Sequence, residues 1–191
     1  MALGTDYARQ DCSLARALEV VGERWSLLIL RDAFYGVRRF GDFLAHLDIP
    51  RAVLTTRLAA LTEAGVLRKE AYQQSPPRYD YVLTDAGLGL WPPLHGLLRW
   101  GGEYAVEGEP TRTFHHAECG TRLDMTGGCP HCALAQVPPA GVEMRTRVLP
   151  GRPVRSDPVT AAIAAPHRLL RPLRGAAGED AFAGADDPGN S

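Results

Sequence analysis

The fold is decided by residues 50–84, which read PRAVLTTRLAALTEAGVLRKEAYQQSPPRYDYVLT. In the first half, apolar residues recur at three- and four-residue intervals, the spacing of one helix face. These residues are Val53, Leu54, Leu58 and Leu61. Gly65 ends this helix because glycine adopts the left-handed conformation of a C-cap at little steric cost. The second half alternates, which predicts two strands, Val66–Tyr72 and Arg78–Leu83, joined by a turn over Gln73–Pro77.

Helical patterns lie on both sides of this stretch. Upstream, the spacing of apolar residues predicts three helices, at about Cys12–Val21, Trp25–Phe34 and Phe40–Leu47. Downstream, Thr84 is a helix N-cap signal, and a long apolar helix follows it. Pro92-Pro93 should kink or interrupt that helix. The order of helix, helix, helix–turn–helix, hairpin and helix predicts a winged helix-turn-helix domain, mainly α with a small β-hairpin wing.

Length and composition narrow the class of protein. The chain has 191 residues and a net charge of −1, which suits one domain with an appendage. No apolar run is long enough to span a membrane, and the N-terminus lacks the apolar region of a signal peptide. We therefore expect a cytoplasmic protein, whose four cysteines are reduced, metal-bound or redox-active rather than in structural disulfides. No phosphate loop, activated serine or paired carboxylates indicate an enzyme.

The chain divides into three regions of different texture. Residues 1–109 carry the helical periodicity and are expected to form the DNA-binding and dimerisation domain. Residues 110–135 form a Cys/His-rich appendage that resembles a zinc ribbon. Residues 136–191 are rich in Pro, Ala and Arg and poor in aromatic residues, so they have little apolar surface to bury and are expected to be weakly ordered. The arginines of residues 145–174 either add phosphate contacts or belong to an untethered tail.

Several motifs follow one another along the first region. They are LEVVGERWSLLILR at Leu18–Arg31, RRFGDF at Arg38–Phe43, LTTRLAAL at Leu54–Leu61 with Gly65, PPRYDYVLT at Pro76–Thr84, and Gly87 with Trp100-Gly101. In order and spacing they resemble the helix pairs, recognition helix, wing and last helix of the HxlR family of bacterial transcription regulators, which are MarR-like. The resemblance covers about residues 12–104.

The resemblance implies a sequence-specific, DNA-binding transcriptional regulator. It implies a homodimer joined through the first and last helices, with recognition helices about 34 Å apart on a pseudo-palindromic double-stranded operator. Repression is the default expectation, in response to a small molecule or to oxidants and electrophiles. The sequence departs from the family at Pro50 and Ala52, where the family usually has serine and then a basic or polar residue, so base preference is not carried over.

The predicted DNA contacts lie on three elements. They are Arg51, Thr55, Thr56 and Arg57 on the recognition helix, Arg38 and Arg39 before it, and Gln73, Gln74 and Arg78 on the wing. Arginine pairs with guanine edges, and threonine contacts phosphates or thymine methyl groups. Arg57 can instead pair internally, and one of Arg38 and Arg39 can brace the fold. Residues 36–78 hold seven basic and four acidic residues, a local charge of +3 that favours a basic face.

Two further features suggest inputs to such a regulator. Cys12 stands at the start of the first helix, where backbone amides favour the thiolate; it is either a redox sensor or a small residue packed at the dimer contact. Six apolar residues at helical spacing could line an effector pocket, or simply form core. They are Trp25, Phe34, Trp91, Leu94, Trp100 and Tyr104.

The Cys/His cluster has the spacing of a metal site. Cys129-Pro-His-Cys132 places two thiolates on one turn, and His116-x-x-Cys119 supplies the second pair, with His115 as the alternative histidine. Four ligands would hold a structural zinc ion. The alternatives are incidental residues in a disordered tail, a zinc-dependent interaction module, and a thiol–disulfide oxidoreductase. The last needs a strand before the motif and a long helix after it, and Ala133–Gln136 runs at once into Val137-Pro138-Pro139.

Overall fold

The computed structural model of the chain describes residues 7, 9–148 and 155–173. Its first four helices are α1 (Ser13–Val21), α2 (Ser26–Phe34), α3 (Phe40–Leu47) and α4 (Arg51–Glu63). The bounds agree with the predicted helices because the spacing of the apolar residues is a local signal. On α4, for example, the inward stripe of Leu54, Leu58 and Leu61 is at most 1% exposed.

A two-stranded wing follows α4. Strand β1 (Leu67–Gln74) pairs antiparallel with β2 (Pro77–Leu83). The predicted turn over Gln73–Pro77 is too long, because Gln73 and Gln74 pair with Arg78 and Pro77. Only Ser75 and Pro76 remain at the tip. With the four helices, this hairpin gives the winged helix-turn-helix fold that the sequence predicts.

The predicted long helix is two helices, α5 (Asp85–Leu88) and α6 (Trp91–Tyr104). Thr84 caps α5 as expected, since its side-chain oxygen accepts a hydrogen bond of 3.2 Å from the amide of Gly87. Pro92 and Pro93 lie in the first turn of α6, where a missing amide hydrogen costs no helical hydrogen bond. The break between α5 and α6 therefore lies before the two prolines, and they do not interrupt α6.

A second sheet lies beyond α6. It has the strand order β3 (Arg112–His116), β4 (Val142–Thr146) and β5 (His167–Arg168), and both pairings are antiparallel. A short 3-10 helix (Pro139–Gly141) precedes β4, and α7 (Pro158–Ala162) precedes β5. The expectation of weak order for residues 136–191 is therefore wrong for 139–148 and 155–173. Within that range, residues 149–154 and 174–191 lie outside the described residues.

Scattered apolar residues explain the order of this C-terminal part. The side chains of Val142, Met144, Val159, Ile163 and Leu169 are at most 2% exposed and belong to the same core as α2 and α4. Few large apolar residues are present, but six of the nine described between residues 136 and 173 are buried. Composition alone underestimates the order of this part, because it counts apolar residues without showing how many are buried in the core.

The last described segment is tied to the end of α2. The amides of Leu170 and Leu173 donate hydrogen bonds to the carbonyls of Phe34 (2.8 Å) and Gly36 (3.1 Å). Gly36 has a φ of +95°, and the carbonyl oxygen of Arg171 occupies the space that a Cβ would need. The close approach of the two backbone segments therefore requires glycine at position 36.

Aromatic rings join the two halves of the fold. The Trp91 ring lies 5.2 Å from Phe34 on α2 and 5.4 Å from both His95 and Phe114, the last on β3. His95 also reaches the second half by its Nε2 atom, 2.9 Å from the carbonyl of Asp124. Among residues 7, 9–148 and 155–173, no helix is long and apolar enough to cross a membrane.

The shared core predicts that the two halves unfold together. Phe114→Ala should lower the free energy of unfolding by about 3–5 kcal/mol, the usual cost of removing a buried aromatic ring. The control Met125→Ala, at a side chain that is 42% exposed, should change it by about 0.5 kcal/mol or less. Denaturant titrations followed by tryptophan fluorescence and circular dichroism measure both. Two separate transitions, with only one displaced in Phe114→Ala, would contradict a common core.

Two partly buried histidines predict a loss of stability in acid. Burial of the ring lowers the pKa of His167, whose Nε2 lies 2.9 Å from the carbonyl of Tyr35, and burial likewise lowers the pKa of His95. The unfolded chain then binds protons more readily near pH ~6.5, so stability rises with pH through that range. We expect the free energy of unfolding to fall from about pH 7.5 to about pH 5.5, and less steeply in His167→Gln. An equal slope in the variant would exclude His167 as a contributor.

Candidate nucleic-acid interface and metal centre

The outer face of α4 presents short polar side chains. Arg51, Thr55 and Thr56 are exposed, and the two threonine hydroxyls donate hydrogen bonds of 3.0 Å to the carbonyls of Arg51 and Ala52. Pro50 is the N-cap and forms no side-chain cap. Asp48 does not replace the missing cap, since it ends α3 in the left-handed conformation, with φ +54°. The first amides of α4 therefore have no side-chain cap.

The two arginines of α4 have different surroundings. The Arg51 guanidinium lies 5.2 Å from the centre of the Phe40 ring, which places it at the junction of α3 and α4. Arg57 instead approaches Glu23, with 3.5 Å between Nη1 and Oε2. The internal pair considered for Arg57 is thus present, and its contact with DNA stays a prediction.

Arg39 braces the wing against α3. Its Nε lies 3.9 Å from Oδ1 of Asp80, and its guanidinium lies 4.5 Å from the centre of the Tyr72 ring. The neighbouring Arg38 contributes its carbonyl, which accepts a 2.8 Å hydrogen bond from the amide of Tyr81. The Arg38 side chain is half-buried and forms no ion pair among the described residues. Arg39 is therefore a bracing arginine, and contact between Arg38 and phosphate stays a prediction.

The wing residues also differ from one another. Gln73 folds over the tip, where its Nε2 donates to the carbonyls of Ser75 (3.2 Å) and Pro76 (3.1 Å). Gln74 is exposed, and Arg78 is half-buried opposite Gln73. Gln73 thus stabilises the tip, which leaves Gln74 and Arg78 as the wing side chains better placed to reach DNA.

A buried polar pair beneath this interface was missed by the sequence analysis. The side chain of Asp32 on α2 is fully buried, and its carboxylate contacts Nδ1 of His46 at 2.7 Å and the Arg31 guanidinium at 2.8 Å. The contact between Asp32 and His46 links α2 to α3. It also gives a partner to a carboxylate that would otherwise be costly to bury. The available signal was an aspartate in an apolar helical segment, Leu30-Arg-Asp-Ala33.

Cys12 is the exposed N-cap residue of α1. The backbone amides of Ala15 and Leu14 lower the pKa of its thiol. This favours the thiolate, the nucleophilic form of cysteine. The redox role of Cys12 stays a prediction.

The six residues expected to line an effector pocket do not share one environment. Phe34, Trp91 and Leu94 are in the core, and Trp25 packs against it. Trp100 and Tyr104 are exposed and stack on each other at 5.8 Å. The cavity found beside α6 has none of the six in its lining. Helical spacing identified apolar positions on both faces of the helices but could not separate inner from outer ones.

The predicted metal ligands come together. The ligand atoms of His116, Cys119, Cys129 and Cys132 all lie within 4.8 Å of one another. The Cys119 sulfur is 3.4 Å from Nδ1 of His116 and 3.5 Å from the Cys129 sulfur, which is too far for a disulfide. Two sulfurs at tetrahedral angles, each about 2.3 Å from zinc, would be about 3.8 Å apart. The spacing therefore suits a tetrahedral ion.

His115 is occupied elsewhere. Its Nε2 lies 3.0 Å from the Thr113 hydroxyl and its Nδ1 lies 3.0 Å from the carbonyl of Gly120. Of the two histidines considered, only His116 therefore belongs to the cluster. No long helix follows Cys132 in the described part of the chain, where residues 133–138 form turns and irregular backbone. This is not the context of a thiol–disulfide oxidoreductase.

The thiols of the cluster affect one another. Hydrogen bonds from the side chain and amide of Thr121 lower the pKa of Cys119 to about 6. The pKa of Cys132 is raised to about 12 by its hydrogen bond to Cys119, by burial and by repulsion from its neighbours. Three thiolates at this spacing would repel one another, and a bound cation would offset that repulsion.

The arrangement of α3, α4 and the wing defines a winged helix-turn-helix DNA-binding protein, with α4 as the exposed recognition helix. A family model described as an HxlR-like helix-turn-helix matches residues 20–109. The uncharacterized HTH-type transcriptional regulator Rv3095 of Mycobacterium tuberculosis is 48% identical over 122 residues, which cover 63% of this chain and 77% of that protein. The uncharacterized regulator YdeP of Bacillus subtilis is 33% identical over 106 residues, 53% of this chain and 83% of that one.

One solved structure supports the same assignment. The crystal structure of PA1607, a candidate transcription factor, superposes with a TM-score of 0.56 and 34% identity over 62% of this chain and 84% of that one. The chain belongs to the HxlR family. It is a DNA-binding transcriptional regulator, as the sequence indicated, and not an enzyme.

Proposed function

We propose that two copies of this chain bind a pseudo-palindromic DNA site in the cytoplasm and repress transcription. The observation that carries the proposal is the pair of surfaces left exposed on one domain. One is the polar face of α4 beside the wing, and the other is an apolar surface on α1 and α6. The first suits DNA, and the second suits another copy of the chain.

The apolar surface supports dimerisation. Large apolar side chains point outward at three- and four-residue intervals on both helices, and they are between 38% and 67% exposed. They are Leu14 and Leu18 on α1, and Leu97, Trp100 and Tyr104 on α6. Rows of exposed apolar side chains of this kind are uncommon on a monomer and mark an interaction surface. A two-fold axis through it would give each dimer two recognition helices.

The DNA-binding face supports insertion of α4 into the major groove. The exposed Arg51 and Thr55 lie four residues apart and share one helix face. The uncapped amides at the start of α4 and the side chain of Arg38 are suited to phosphates. Gln74 and Arg78 extend the contact to the wing. Repression follows from the compact dimer, since occupying a promoter blocks polymerase without further contacts.

Binding to DNA predicts a specific loss on substitution. Arg51→Ala should weaken binding to a duplex selected from a random pool by about tenfold, since a charged base or phosphate contact contributes about 1–3 kcal/mol. Arg24→Ala, at an exposed arginine between α1 and α2, is the matched control and should change the affinity little. Fluorescence anisotropy at two salt concentrations measures both, and higher salt should weaken the wild type steeply. Equal losses in the two variants, or binding that is indifferent to salt, would contradict the docking of α4.

The Cys/His cluster supports a second role, the binding of one structural zinc ion. Three sulfurs and one imidazole nitrogen are a preferred donor set for zinc, and four protein ligands leave no open position for catalysis. Nε2 of His116 faces the Glu118 carboxylate 3.8 Å away, an arrangement that would orient the ring toward the ion. The ion would tie the end of β3 to the Cys129–Cys132 turn and so stabilise the second sheet.

Zinc binding predicts one ion per chain and a linked stability. Cys132→Ser should lose the metal and lower the melting temperature, because binding energy contributes directly to folding. His131→Ala, at an exposed residue of the same turn that is not in the cluster, should keep both. Elemental analysis of the purified chain and calorimetry, before and after chelation, measure the effect. Metal-free wild type, or equal metal content in Cys132→Ser, would contradict the site.

A further inference from the structure

A cavity of about 190 Å³ lies between α6 and β3. Leu98, Phe114 and Pro110 supply apolar surface, while Arg99, Arg112 and Arg122 supply three guanidinium groups. Glu103 is the only acidic residue in its lining. The three arginines lie on α6, on β3 and in the segment after β3, and no sequence motif links them.

The hydrogen-bonding capacity of Arg99 and Arg112 in this cavity is only partly used. The Nε atoms of Arg99 and Arg112 are buried without a hydrogen-bond partner in the described part of the chain. Across residues 7, 9–148 and 155–173, no carboxylate lies within ion-pair distance of these two arginines or of Arg122. Arg112 hydrogen-bonds to the side chain of Tyr35, and its guanidinium carbon lies 5.1 Å from the centre of the Tyr35 ring. Arg112 is thus held in position, while its Nε has no hydrogen-bond partner in the described part of the chain.

Electrostatics disfavours this arrangement when nothing is bound. Burial lowers the pKa of Arg99, and the nearby charge of Arg122 lowers it further. Buried donors without partners are uncommon in native proteins and costly, and charged ones more so. An anion beside the guanidinium groups would reduce the repulsion between Arg99 and Arg122. Guanidinium groups form their strongest hydrogen bonds with carboxylates and phosphates.

We propose that this cavity binds a small organic anion, with a carboxylate or phosphate group facing the arginines and a compact apolar body against Phe114 and Leu98. Its size admits a small molecule and not a peptide segment, and the mixture of apolar wall and a few polar groups is typical of ligand sites. The site differs from the six-residue pocket expected from the sequence, since none of those residues lines it.

The position of the cavity suggests a role for the ligand. One wall is α6, which carries the proposed dimer surface, and the other is β3, which ends at His116 of the metal cluster. An anion bound to both would fix the second half of the chain against α6. A regulatory effect on DNA binding rests on the proposed function, whereas binding of the anion does not.

Calorimetric titration of the full purified chain tests the binding, with benzoate and phenyl phosphate as probes and benzamide as the uncharged control. We expect one of the anions to bind with one site per chain and benzamide not to bind. The tighter of the two anions identifies the preferred head group. Arg112→Gln should weaken that anion by about tenfold or more, as expected for loss of a charge-assisted hydrogen bond.

Two further variants make the test decisive. Arg122→Gln removes an exposed arginine of the same cavity, so it should fold even if Arg112→Gln does not, and it too should weaken the anion. Arg145→Gln, at an exposed arginine outside the lining, should bind as the wild type does. Absence of binding by both anions, or equal binding by wild type and Arg122→Gln, would overturn the proposal. Because no DNA is present, this result is independent of the proposed repression.

Discussion

The packing of Trp91 against Phe34, His95 and Phe114 is the contact on which the rest of the structure depends. The ring is about 1% exposed and joins α2, α6 and β3. Its Nε1 is buried without a hydrogen-bond partner among the described residues, at a cost of about 1–3 kcal/mol. Burial of an indole contributes about 4–6 kcal/mol at 25 cal/mol per Å², so packing outweighs that cost. The cluster therefore fixes the orientation of α6 and of everything beyond it.

Two functional surfaces follow from that orientation. With Trp91 and Leu94 directed inward, Leu97, Trp100 and Tyr104 of α6 are directed outward, where another copy of the chain can cover them. The second surface is the DNA-binding face. Its helix α4 is fixed by its buried leucines, and the wing is fixed to α3 through Arg39. The polar face of α4 can then remain exposed without loss of stability. The second sheet, which holds the Cys/His cluster, lies beside α6. It is outside residues 20–109, which the family model matches.

The parts of the fold that could be predicted from the sequence depend on local signals. The helix bounds follow from apolar spacing, and the residues of the Cys/His cluster follow from the two short Cys/His motifs. The wing turn was placed too long because strand pairing, which includes Gln73 and Gln74, depends on the partner strand. The order of Val159, Ile163 and Leu169 depends on contacts with elements more than a hundred residues away. The arginine cavity depends on how β3 packs beside α6, although its lining spans only residues 98–122. No local pattern carries such information.

The most direct test of the account is selection of the purified chain's preferred sites from a random-sequence duplex pool. The proposed dimer, with one α4 in each of two major grooves, predicts a two-fold symmetric motif. Its half-sites should be about 10 base pairs apart, one helical turn. An enriched motif of that form would support both the recognition helix and the dimer. Enrichment of a single asymmetric half-site would contradict the dimer, and enrichment of no motif would contradict sequence-specific binding itself.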